Sequence, residues 1–319
     1  MTDILTLGEV LIDLTEKGSD ENGNKKFIAY PGGAPANVAV AASKLGAKTA
    51  FIGKVGNDSF GHKLEEVLKA ENVDTKGLYL SDEYQTTLAI VAVGESGERE
   101  FSFYRSPGAD TQLTEYEAIA AMDHAPVILH VGSLSLTDSP AKEACMTAVK
   151  HAKEHGSVIS YDPNYRPALW KNEEEAVEAM KSLLPYADII KVAEEELVLL
   201  TGTMDLEQGS RIFADQGARL VIVTLGGNGV FVRYGGYTAK VPGVKTTVAD
   251  TNGAGDTFLG AMLAKLSSRA DDASDKDILD DIDTDVLCGY VMYANRAAAL
   301  TCSRPGAIPA MPTAEELAE

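Results

Sequence analysis

Short apolar runs alternate with longer amphipathic ones along most of this chain, and that alternation narrows the possible folds more than any other feature. Residues 4–8 and 49–55 read as strands, as do the runs at 127–131, 158–161, 188–192 and 220–224. Helical patterns lie between them at 35–45 (alanine-rich, ended by Gly46), 60–70, 141–155 and 173–184. A continuously apolar strand must be covered on both faces. Alternation with helices therefore predicts an α/β fold with a mainly parallel sheet between helical layers. Two stretches break the rhythm. Residues 11–30 carry a Gly-Asn-rich turn between two extended pieces. Residues 86–104 hold two alternating runs, 88–93 and 99–104, joined by Glu95-Ser96-Gly97-Glu98. Both read as antiparallel hairpins. They predict a small β-sheet lid built from inserts at about 12–31 and 86–105, or else an antiparallel extension of the main sheet.

Charge and cysteine content exclude several function classes. A net charge of −20 repels DNA, RNA and anionic membranes. It does not exclude an anionic substrate, because backbone N–H groups at a helix start hold a phosphate without net positive charge. Cys145, Cys288 and Cys302 are scattered and lack metal-ligand spacing, so they read as reduced thiols. No basic segment leads into an apolar run at the N-terminus, and no stretch reaches the length of a membrane span. The expectation is a cytoplasmic protein of 319 residues, one large α/β domain with its small insert. The acidic stretch 271–285 reads as solvated surface.

The chemistry concentrates in one turn. The chain has no G-x-x-x-x-G-K-[ST] motif and no G-x-G-x-x-G after a strand, and its histidines are dispersed. What stands out is Asp250-Thr251-Asn252-Gly253-Ala254-Gly255-Asp256-Thr257-Phe258, followed by an apolar helical pattern at 259–266. Small residues let the backbone turn tightly against a ligand. The N–H groups of Gly253, Ala254 and Gly255 then converge at a helix start, an anion hole suited to a transferring phosphoryl group. Asp256 has two readings. It can accept a proton from an attacking hydroxyl, or it can merely cap the helix.

That segment resembles the C-terminal signature of the ribokinase-like (pfkB-type) carbohydrate kinases. The N-terminal signature is matched by Gly32-Gly33-Ala34-Pro35-Ala36-Asn37-Val38-Ala39, with Leu45-Gly46 behind it. The resemblance runs from Gly8 to Pro312. It implies a doubly wound α/β core with a β lid, and transfer of the γ-phosphate of ATP to a sugar hydroxyl with Mg²⁺. It implies that Asp256 is the catalytic base, and that Gly253, Ala254 and Gly255 form the anion hole.

On the sugar side the resemblance matches Asp13 to an aspartate that binds sugar hydroxyls, beside Gly32, Gly33 and Asn37. A carboxylate accepts two hydroxyls at once, and Asn37 offers both a donor and an acceptor. Arg105 and Arg166 are further substrate candidates. The run from Phe101 to Asp110 looks like the fructokinase branch, whereas Asp162-Pro163-Asn164-Tyr165-Arg166 is shared with 2-keto-3-deoxygluconate kinases. Arginine suits a carboxylate or a phosphate, and each of the two could instead serve a structural ion pair. Fructokinase is the favoured reading, 2-keto-3-deoxygluconate kinase the alternative. A sugar-binding or regulatory protein that kept the fold without catalysis is the reading from another class.

On the nucleotide side, Thr224, Gly226 and Gly229 match the family's nucleotide loop, and Asn295 matches a position near the adenine. Such a glycine turn is also common in plain β-hairpins. Lys191, at a strand end, is a candidate for a nucleotide phosphate. The family's Asn-x-x-Glu becomes Ala193-Glu194-Glu195-Glu196 here, so Glu196 matches the metal-linked glutamate while Ala193 replaces the asparagine. Parts of the family carry a K⁺ site near the residue matched by Asp250. The alternating apolar faces of the lid predict a homodimer formed through it.

Overall fold

A computed structural model of the chain describes residues 2–93, 99–122, 124–270 and 277–318. The turn read at Glu95–Glu98 and the acidic residues 271–276 lie outside the described residues. The chain opens with β1 (Ile4–Leu7), β2 (Leu11–Ser19), β3 (Lys25–Gly32), α1 (Ala34–Lys44), β4 (Thr49–Gly56), α2 (Ser59–Ala70) and β5 (Asp74–Ser81). There follow β6 (Leu88–Val93), β7 (Arg99–Tyr104), α3 (Glu115–Ala120), β8 (Ile128–Gly132), α4 (Ala141–Glu154), β9 (Val158–Asp162) and α5 (Glu173–Leu183). The rest comprises β10 (Ile189–Ala193), α6 (Glu194–Thr201), α7 (Leu206–Asp215), β11 (Leu220–Thr224), β12 (Val230–Tyr234), β13 (Tyr237–Val241), α8 (Ala254–Ser267), α9 (Thr284–Cys302) and α10 (Ala314–Ala318).

The large sheet has nine strands in the order β13-β12-β11-β10-β9-β8-β1-β4-β5. Its pairs are parallel except at the β11-β12-β13 edge, which is antiparallel. Alternate residues of β1 serve opposite cores. Leu5 and Leu7 pack with α4 residues such as Val149, while Ile4 packs with α8 residues such as Phe258 and Leu259. The sheet is thus covered on both faces, as its apolar strands require. Strand order reverses between β1 and β8, and the crevice beyond the carboxyl ends of such strands is where open α/β sheets bind ligands.

The second sheet has four strands in the order β3-β2-β6-β7. Each expected hairpin is present and antiparallel. The two are joined by a parallel β2–β6 pairing, Ile12 opposite Leu88 through Thr15 opposite Val91. This sheet is separate from the large one and does not extend it. Helices α1 and α8 run unusually close. A Cβ on Gly260 would lie 2.6 Å from the Ala41 methyl and 2.9 Å from the Val38 carbonyl oxygen. That approach brings the start of α1 beside the start of α8. Among the described residues no helix is long and apolar enough to cross a membrane.

Candidate active site

Two cavities meet at the first turn of α8. The first, about 390 Å³, is lined by Asp13, Gly33, Asn37, Arg166, Asn252, Gly253 and Asp256, with Leu11, Ala89, Val91 and Phe103 from the small sheet. The second, about 290 Å³, is lined by Thr224, Gly226, Gly229, Ala254, Gly255 and Asn295. Its sides are apolar, with Val244, Val248, Phe258 and Ala298 among them. One short turn, 253–256, therefore borders both.

Gly253 caps α8 in the left-handed conformation, φ 72°, without any side-chain cap. The helix-cap reading of Asp256 is thus corrected: Gly253 is the cap, and Asp256 lies inside the first turn. Its Oδ2 accepts a 2.8 Å hydrogen bond from Asn37 Nδ2 of α1. Ala254 N–H donates to the Thr251 carbonyl at 3.3 Å, and Gly255 and Asp256 follow in the first turn, where backbone N–H groups have no acceptor within the helix. Burial raises the Asp256 pKa, while the Asn37 bond and the Lys191 charge oppose the rise.

The start of α1 builds the floor of the first cavity. A Cβ on Gly32 would fall 2.3 Å from Asp13 Oδ2, so glycine there leaves the carboxylate its place. Burial pushes the Asp13 pKa to about 6 against the opposing charge of Arg166. Arg166 itself is exposed at the mouth. The Asn37 Oδ1 acceptor is buried and has no partner. A buried orphan acceptor is costly, and a ligand hydroxyl would satisfy it.

Glu9, just past β1, was not singled out by the sequence reading. It lines the same cavity and is 3 % exposed. Its Oε1 accepts the Ala34 N–H at 2.9 Å, and Oε2 has no partner. Burial pushes its pKa from 4.5 to about 7. The available signal was its position after a strand's carboxyl end. Between pH 4.5 and about 7 the folded chain keeps a proton on Glu9 that the unfolded chain releases. Stability falls as pH rises through that window. Glu9→Gln should remove this part of the fall, so that its melting temperature declines less than that of wild type between pH 5 and pH 8. Identical pH dependence in thermal unfolding would contradict the assignment.

Several predicted residues are placed away from open contact. Arg105 is not among the residues lining the first cavity. It donates to Asp110 at 2.7 Å, to Thr137 Oγ1 at 2.6 Å and to the Leu134 carbonyl at 3.0 Å, in the ion-pair arrangement. Glu196 holds backbone: its Oε1 accepts Tyr165 N–H at 2.7 Å and its Oε2 accepts Ala193 N–H at 2.8 Å. It thereby ties the Asp162–Arg166 loop to the end of β10. Among the described residues no group of three or more His, Cys, Asp or Glu could hold a metal. The side chains present thus provide no dedicated cage for Mg²⁺, which commonly rides on substrate phosphates with few protein ligands. Lys191 is buried, not a surface lysine, and bonds Asp162 Oδ2 at 2.7 Å.

The Gly226–Gly229 turn lies at the second cavity. It joins β11 to antiparallel β12 and it lines the cavity. Gly229 has φ 97°, and a Cβ there would strike the Val241 carbonyl oxygen at 2.1 Å. Asn295 donates to the Pro242 carbonyl at 3.0 Å, which fixes the cavity's outer wall.

Comparison with known proteins bears on the family and the fold. The sequence pattern described as "pfkB family carbohydrate kinase" matches residues 1–314. A probable fructokinase-2 of Arabidopsis thaliana is 40 % identical over 314 residues, covering 97 % of this chain and 93 % of the relative. The crystal structure of a Xylella fastidiosa fructokinase with bound ATP superposes with a TM-score of 0.90 at 33 % identity, covering 99 % of this chain and 97 % of that one. A Vibrio cholerae fructokinase double mutant, described with fructose, ADP and potassium ion bound, gives a TM-score of 0.87 at 34 % identity over 100 % and 97 % of the two chains. Signatures at both ends, a shared fold and full-length identity lead to one conclusion: this chain belongs to the pfkB family of carbohydrate kinases.

Proposed function

We propose that the protein is an ATP-dependent fructokinase. The observation that carries the reading is the pair of cavities meeting at the 253–256 turn. A sugar in the first presents a hydroxyl to Asp256, and ATP in the second presents its γ-phosphate to the same turn. The hydroxyl oxygen forms a bond to the γ-phosphorus, the bond from phosphorus to the bridging oxygen breaks, and ADP leaves. Asp256 takes the hydroxyl proton through the carboxylate that Asn37 orients. The α8 N–H groups stabilise the charge on the transferring group. Mg²⁺ would be held chiefly by the ATP phosphates and would offset their charge, and we extend the proposal to a K⁺ ion beside Asp250. The small sheet acts as a lid that excludes water as a competing acceptor.

Fructose is favoured over 2-keto-3-deoxygluconate by charge. Asp13 and Asp256 line the sugar cavity beside Glu9, which burial keeps protonated up to about pH 7, and Arg166 is the one basic residue among its described lining. Arg105 is engaged with Asp110. Such a cavity suits a neutral polyol better than a carboxylate. The test is initial-rate kinetics with Mg·ATP on both sugars. Higher kcat/KM on fructose is expected; turnover on ketodeoxygluconate alone would reassign Arg166 as its carboxylate clamp.

Two further expectations arise from this reading. Asp13 accepts sugar hydroxyls as a carboxylate, so protonation below pH 6 weakens binding. The KM for fructose should rise about tenfold between pH 7 and pH 5, and Asp13→Asn should lose that dependence along with much of its affinity. A KM that does not change with pH in wild type would contradict the role. Separately, Phe27 and Ile28 on β3 and Tyr104 on β7 are exposed on the small sheet. A second copy covering them makes the homodimer, in a cytoplasmic setting, and light scattering should report twice the mass of one chain.

A further inference from the structure

The charged layer beneath the anion hole has an arrangement that the reaction scheme above does not use. Lys191 on β10 and Asp162 at the end of β9 are 8 % and 2 % exposed, and their 2.7 Å contact is shut away from water. The Lys191 ammonium also lies against α8. A Cβ built on Gly255 would be 3.1 Å from Nζ. Glycine at 255 therefore does two things: it frees the turn for a ligand, and it leaves room for a cation beside the helix start. A cation at the positive end of a helix is electrostatically unfavourable by itself. Here Asp162 is the partner that compensates it.

We propose that Asp162 is a positioning residue for phosphoryl transfer: it holds the Lys191 ammonium beside Gly255, so that cation and helix N-terminus act together on the transferring phosphoryl group. This rests on the reading of the 253–256 turn as the phosphoryl site. An ammonium has three donors, and Asp162 is the hydrogen-bond partner the structure gives it, which leaves the group able to serve a phosphate oxygen as well. The other groups facing Lys191 are Glu196 of α6 and Asp256 of α8. His130 of β8 faces the pair too, and burial lowers its pKa to about 4, so it adds no charge at neutral pH. Asp162 has a second contact: Oδ1 accepts the Asn164 N–H at 3.1 Å. Asparagine at 162 can keep that bond while losing the charge.

The experiment compares Asp162→Asn, Lys191→Met, the double variant and Asp256→Asn, each assayed for kcat, fructose dissociation constant without nucleotide, and melting temperature. Asp162→Asn is expected to lower kcat by about 10–100-fold, the scale of a misplaced catalytic group, with fructose affinity within about twofold of wild type. Lys191→Met should fall at least as far, and the double variant no further than Lys191→Met. The double variant also guards against misfolding, since it removes both members of the ion pair together, and its melting temperature reads what Glu196 and Asp256 lose with the cation. A folded double variant with wild-type kcat would show the pair to be structural only and overturn the proposal. Equal losses in kcat and fructose affinity for Asp162→Asn, or multiplicative losses in the double, would overturn it too. An Asp256→Asn enzyme with full activity would instead indict the site reading beneath it.

Discussion

Asp256→Asn should lower kcat by about 10²–10⁴, the usual cost of removing an aligned general base, while fructose affinity stays within about twofold. The expectation follows from three placements. Asp256 lies in the first turn of α8, where it borders the sugar cavity. Asn37 holds its Oδ2 at 2.8 Å, so the carboxylate is aimed before substrate arrives. Burial raises its pKa, which makes it a better proton acceptor than an exposed aspartate. Asparagine preserves size and much of the polar contact but cannot take the proton. The loss should therefore fall on kcat. A variant that lost affinity in proportion, with kcat intact, would make Asp256 a binding group.

Gly33→Ala should be nearly as damaging, for a steric reason. Gly33 has φ 107°, and a Cβ there would lie 2.5 Å from the Glu9 carbonyl oxygen and 2.9 Å from Val10 Cα. Both neighbours are backbone and cannot swing aside. The expected stability loss is roughly 1–3 kcal/mol from overpacking, with left-handed strain in addition. Function should suffer as well. The Gly33 carbonyl accepts the Asn37 N–H at 2.8 Å, so a shift there moves the side chain that aims Asp256. A drop in kcat/KM of about 10²-fold matches a displacement on the ångström scale. Gly46→Ala is the control. Its φ is 99°, but a Cβ there meets nothing within 4 Å. It should show the strain without the loss of activity. Thermal unfolding and steady-state kinetics on the two variants test the contrast, and equal behaviour would contradict it.

The periodicity of the chain carried the large sheet well, because a strand buried on both faces leaves a plain apolar record. β1, β4, β8, β9, β10 and β11 lie within a residue or so of the runs that announce them. The two hairpins of the small sheet were legible for the complementary reason, alternation of faces around polar turns. Their parallel β2–β6 join was not, since it depends on how distant segments meet and leaves no local mark. The same limit applies within the site. Gly32, Gly33 and the 253–256 turn are visible because close backbone approach demands small residues. The partners of Glu196 and Arg105 stay open in the sequence, because charge alone does not reveal a partner. The structure gives Glu196 two backbone N–H groups and Arg105 the Asp110 carboxylate. Glu9 was missed for the opposite reason, as one acid after a strand, whose burial only the fold supplies.

The most direct test of the whole account is product stoichiometry. The purified protein is incubated with Mg·ATP and D-fructose, and ADP and fructose phosphate are quantified together by chromatography and phosphorus NMR. One fructose phosphate is expected for each ADP, with both products lost together in Asp256→Asn. ADP formed without sugar phosphate, or fructose bound with no ADP released, would contradict it.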